Sequence, residues 1–128
     1  MVAAITEGIE VRVETQYAIH ESRPEQSRYI WQYRITIVNQ SNATVQLQRR
    51  HWYIYDSLLA RREVKGEGVV GKQPTLGPGM MHQYSSWCPF ESEIGMMSGY
   101  FEMIRESDQK TISVKVPSFT MITPNRLN

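Results

Sequence analysis

Gly66-Glu67-Gly68-Val69-Val70-Gly71, continued by Lys72-Gln73-Pro74 and Leu76-Gly77-Pro78-Gly79, is the stretch on which the fold class turns. As a string it satisfies G-x-G-x-x-G, and with Lys72 the first seven positions of G-x-x-x-x-G-K-[ST]. Either motif works only where a helix begins straight after the glycines, because the helix N-terminus supplies the donors and dipole that hold a pyrophosphate. Pro74 and Pro78 forbid that helix. Gln73 also stands where the magnesium-binding hydroxyl would be required. The glycines therefore serve a tight connection between extended segments, which points away from a nucleotide fold and toward an all-β one.

The flanking sequence agrees. Ile9 to Tyr17 alternates apolar and polar residues with period two, the pattern of a half-buried strand. Tyr29 to Val38 places Tyr29, Trp31, Tyr33, Ile35 and Ile37 on one face, a central strand with one wetter side. Between them His20 to Arg28 is charged and broken by Pro24, an exposed connection. Asn39 to Asn42 reads as a turn. From Thr44 to Tyr55 the apolar set begins as Val45 and Leu47 but continues as Trp52 and Ile54, and this switch of parity predicts a β-bulge within Gln48 to His51, with all four apolar residues buried. Leu58 to Lys65 is read as a short strand leading into the glycine loop, and Gly66 to Gly79 as a rigid irregular connection. Met80 to Trp87 is extended, with Cys88-Pro89-Phe90 interrupting it. Ile94 to Arg105 and Lys110 to Val116 follow as strands joined by a turn at Glu106 to Gln109, with Pro117 ending the second and Phe119 and Met121 forming an edge segment before Pro124. Strands at this spacing, with no helical period, predict an antiparallel two-sheet sandwich.

A chain of 128 residues is one domain, here residues 2–127. With 14 Lys and Arg against 13 Asp and Glu it lacks the field that drives non-specific nucleic-acid binding. Cys88 stands alone, so no intramolecular disulfide forms. The first residues lack a signal-peptide pattern and no apolar run is long enough to span a bilayer, which predicts a cytoplasmic protein without membrane or nucleic-acid partners.

Tyr33-Arg34-Ile35-Thr36-Ile37, Val45-Gln46-Leu47 with Arg49-Arg50-His51-Trp52, and Val64 to Gly71 with Gln73-Pro74 resemble the ApaG family. So do Pro78-Gly79, Tyr84-Ser85-Ser86, Gly95 to Tyr100 and Pro117-Ser118-Phe119. The resemblance implies an immunoglobulin-like or fibronectin type III-like β-sandwich with no established catalytic activity, linked by name to cobalt and magnesium tolerance. Related domains in F-box proteins and in a DNA-polymerase-associated protein look like partner-binding modules. The sequence departs from the family pattern at two turns: Ser57-Leu58 replaces a glycine-containing turn, and Ser92-Glu93-Ile94-Gly95 lacks the usual Thr-Pro.

Chemistry-bearing residues are few. Gly66, Gly68, Gly71 and Lys72, with Arg61 and Arg62 nearby in sequence, are the candidate ligand-binding residues, since consecutive N–H groups in such a loop form an anion nest and Arg49, Arg50 and Lys65 add positive charge. Equally, the cations occupy solvent-facing strand positions and the glycines only permit positive φ. His20, His51, His82 and Cys88 lack the close spacing of a metal site, and no metal or other cofactor is expected. No catalytic Ser/His/Asp or Cys/His set is marked, which predicts a non-enzymatic module. Two ligands remain: a protein partner, or a phosphate or pyrophosphate group held at Gly66 to Gly71. Apolar Val69 and Val70 favour the first, with both tucked against the sandwich.

Overall fold

The computed structural model describes residues 1–57 and 59–124. In chain order its strands are β1 (Val2–Thr6), β2 (Ile9–Tyr17), β3 (Tyr29–Asn39), β4 (Val45–Asp56), β5 (Arg62–Glu67), β6 (Thr75–Leu76), β7 (Met81–Phe90), β8 (Ile94–Arg105) and β9 (Lys110–Ile122). One sheet runs β1-β2-β3-β7 and the other β5-β4-β8-β9, with β6 pairing to β4. Every pairing is antiparallel. This is the all-β sandwich expected from the sequence. Among the described residues no helix is long and apolar enough to cross a membrane.

Alternation builds the core. Ile9, Val11 and Val13 on β2 and Tyr33, Ile35 and Ile37 on β3 face Leu47, Trp52, Phe101, Met103 and Val114 of the second sheet, all buried. The parity switch in β4 is a bulge: Leu47 pairs with Met103 and Arg49 with Glu102, which leaves Gln48 as the extra residue. Val45, Leu47, Trp52 and Ile54 are all buried as a result.

One strand is added and four readings are corrected. β1 carries no clear alternation in sequence, yet it pairs along β2. The strand before the glycine loop starts at Arg62 and runs on through Gly66 to Glu67, because its partners are Ile54 back to Arg49 of β4; Leu58 lies outside the described residues. Ser22, within the exposed connection, is buried because its hydroxyl donates to Ala18 O (2.7 Å) and accepts from Ile30 N (2.9 Å). β7 continues through Cys88, Pro89 and Phe90. Asn39 N donates to Met80 O (2.9 Å), and bonded and unbonded pairs alternate along an antiparallel ladder. Counting from there, Met81, Gln83, Ser85, Trp87 and Pro89 turn their main-chain groups away from β3, so Pro89 removes an N–H that the ladder does not need. β9 likewise passes Pro117, because the register slips between Val116 and Phe119 opposite Ser98 and β9 is an edge strand.

Candidate binding loop and the cleft beside it

The bulge in β4 positions the glycine loop. Its extra residue turns the Gln48 carbonyl outward, where it accepts from Gly68 N (2.9 Å) and from Gln73 Nε2 (3.0 Å). Leu47 N donates to Pro74 O (3.0 Å), which fixes the far side of the loop. Between these anchors Val69 and Lys72 exchange main-chain hydrogen bonds of 2.8 and 3.0 Å around Val70 and Gly71. Both central residues have positive φ, 47° and 75°, so the tip is a two-residue turn of the I′ kind. Gly68, at φ 66°, cannot be replaced: a Cβ there would collide with the Lys72 carbonyl oxygen.

At Gly66 a side chain occupies the space that a Cβ would take. Arg50 lays its guanidinium across it and donates from Nη1 to the carbonyls of Glu67 and Gly68, 3.0 Å each, and a Cβ at Gly66 would stand 2.7 Å from that guanidinium. Arg50 therefore serves the loop's own backbone. Val69 is buried at 1% exposure and plugs the sandwich, as expected. Val70 is not tucked in: it is 62% exposed at the tip. A β-branched residue in the left-handed region is a costly conformation, and the neighbouring hydrogen bonds hold it there.

Gly66, Gly68, Gly71 and Lys72 thus come together, with the amides of Val69 and Lys72 bonded inside the loop and that of Gly68 bonded to Gln48 of β4. Arg62 opens β5 at its other end, and Arg61 lies just before it. Arg61 pairs with Glu63 (3.1 Å) and lies 5.1 Å over the Tyr53 ring. Arg62 points toward β7, donating to Pro89 O (3.1 Å) beside Cys88 Sγ (3.8 Å). Burial pushes the Cys88 thiol up, against the opposing effect of Arg62.

On the outer face of β5, β4 and β8 a cleft of about 410 Å³ is lined by Arg49, His51, Lys65, Glu67, Tyr100 and Glu102 together with Arg50 and Gly66. Arg49 and Lys65, grouped with the loop from sequence, do sit here. The floor was not legible, because it depends on strand register: His51 pairs with Tyr100 across β8 and with Lys65 across β5. The Tyr100 hydroxyl is 2.9 Å from His51 Nδ1 and His51 Nε2 is 3.1 Å from Glu63 Oε2. A carboxylate only accepts, so Nε2 carries the proton, and a neutral ring takes the Tyr100 O–H at Nδ1. Desolvation raises the Tyr100 phenol, with Tyr53, Glu102 and Glu63 acting in the same sense. His20 is exposed on the connection before β3, and the His82 ring sits on the inner side of β7, its pKa lowered by burial and then by the charge of Lys72. Among the described residues no group of three or more His, Cys, Asp or Glu is placed to hold a metal ion.

A family model described as the ApaG domain matches residues 19–105. The chain belongs to the ApaG family. Protein ApaG of Brucella abortus (strain S19) is 47% identical over 126 residues, covering 98% of this chain and 96% of that one. Protein ApaG of Allorhizobium ampelinum is 46% identical over 125 residues, covering 98% and 95%. A crystal structure of a Bordetella pertussis protein superposes with a TM-score of 0.87 at 34% identity, covering 91% of this chain and 94% of the other. These ApaG names carry no activity.

Proposed function

We propose that this ApaG-family chain is a non-enzymatic binding module whose ligand is a protein, gripped at the tip of the glycine loop. The observation that carries the reading is Val70: a large apolar side chain, displayed on a turn closed by the Val69 and Lys72 hydrogen bonds, in a conformation that asparagine or glycine would hold with less strain. A rigid apolar tip anchors a protein contact at low entropic cost. The amides of Gly68, Val69 and Lys72 are engaged with Gln48 and with the loop's own carbonyls, which takes three donors away from a phosphate or a developing oxyanion. Any effect on cobalt or magnesium tolerance then passes through the partner. The module acts in the cytoplasm.

Val70→Asn is the discriminating variant. It should raise stability by about 1 kcal/mol, since asparagine tolerates the left-handed region, and lower capture of partners from the cell's own lysate by tagged protein. Undiminished capture by the stabilised variant would remove the loop tip from the interface. A second reading is favoured by one feature, the cations Arg49 and Lys65 with no ion-pair partner among the described residues: a phosphate or pyrophosphate ligand in the cleft beside Gly66. Amide NMR titration with pyrophosphate separates the two. Saturable shifts at Gly66 to Gly71 that persist at physiological salt support the anion; weak, salt-sensitive ones support the protein.

A further inference from the structure

The four sheet edges are not alike. β1 is short and lies along β9, with Thr6 Oγ1 accepting from Lys115 N (3.1 Å). β5 carries Arg62, Glu63, Lys65 and Glu67, and β9 carries lysines, Pro117 and a bulge. Charge, proline and bulges are the devices that keep a sheet edge from pairing with another strand. β7, Met-His-Gln-Tyr-Ser-Ser-Trp-Cys-Pro-Phe, has no charged residue, no register shift against β3, and a proline only near its end. Its outward main-chain groups belong to Met81, Gln83, Ser85, Trp87 and Pro89. Arg62 and the Cys88 thiol take the Pro89 carbonyl; no described residue bonds to the outward main-chain groups of Met81, Gln83, Ser85 or Trp87.

From this we infer that β7 is a pairing edge for a second copy of the chain, joined antiparallel about a two-fold axis through Tyr84. A two-fold axis there sets Met81 opposite Trp87 of the second copy and Gln83 opposite its Ser85, and the reverse. Those are the four residues whose N–H and C=O groups face outward, so all of them enter bonded pairs at once. The side chains match as well. Met81 is 56% exposed and Trp87 52% exposed, both on the outer face, and they stand at equal distance from Tyr84. The pairing therefore covers each exposed tryptophan with a methionine, a contact both residue types favour. A foreign strand would need to supply that spacing of apolar side chains independently; this strand carries it already.

The test is sedimentation of the full chain from low to tens of micromolar, with amide hydrogen exchange read at both ends. The expected result is a mass rising to twice 14.9 kDa, changing little with salt because β7 itself carries no charged residue. Exchange at Met81, Gln83, Ser85 and Trp87 should slow with concentration, while Trp87→Lys and Ser85→Lys, both on the solvent face, should weaken association at least about tenfold, as two buried lysines in a strand pair would. A chain that stays monomeric throughout overturns the inference, as does a dimer indifferent to both variants. A monomer whose four amides are protected only by an added extended peptide also overturns it and gives the edge to a foreign strand.

Discussion

Trp52 is 3% exposed, set edge-on to Phe101 and Phe119 with ring centroids 6.1 and 6.0 Å away and to Tyr33 at 5.6 Å. It joins the two sheets, since Tyr33 lies in one and the other three rings in the second. Truncation leaves a cavity that strands held in register cannot collapse around, so Trp52→Ala should cost about 3 to 5 kcal/mol in urea melts. A loss below about 1 kcal/mol would place the ring outside the core. At the same scale, the two positions where the sequence departs from the ApaG pattern meet in space: Ser57 Oγ donates to Ser92 Oγ (2.8 Å), and the Asp56 carboxylate receives Ser92 Oγ and Glu91 N. Two unusual turns are joined through one buried acid.

Among elements, those with one buried face were legible and those at edges were not. Ile9 to Tyr17 and Ile94 to Arg105 match β2 and β8 residue for residue, because burying one face of a strand forces a period of two. The bulge at Gln48 was legible for the same reason, as a break in that period. Prolines misled: both Pro89 and Pro117 sit on edge strands, and which strand is an edge depends on sheet order, which the local pattern does not contain. The glycine loop was half legible. Gly68 and Gly71 take the positive φ that glycines announce, whereas Gly66 lies in extended β5, and the bonds from Arg50 and Gln48 that occupy the loop come from β4. One pH effect belongs to this element. His82, with Lys72 of the loop as its charged neighbour, has a pKa below the usual imidazole value, so the unfolded chain takes up a proton first. Stability should therefore fall as pH drops below about 6.5 and through the depressed value, and His82→Gln should flatten that slope in pH-dependent melts.

For the molecule as a whole, the glycine pattern invites an assay that the structure argues against. No hydrolysis of ATP, GTP or dinucleoside polyphosphates is expected, since Lys72 closes a turn through its main chain and no group of three or more His, Cys, Asp or Glu among the described residues is placed to hold a metal ion. Turnover by purified protein that disappears in Lys72→Ala would reverse this. The bond between Thr6 and Lys115 has a different kind of consequence. It ties residues 109 apart in sequence, so the flank of the sandwich that it closes has no native form until nearly all of the chain is available. Closing so long a loop ahead of any reward slows folding into the range of about milliseconds to seconds typical of β-sandwiches. During synthesis β1 and β2 can pair with each other and with β3, but the flank of β1 that faces β9 stays open until β9 emerges from the ribosome. The first strand made is the last to find its neighbour across the sheets.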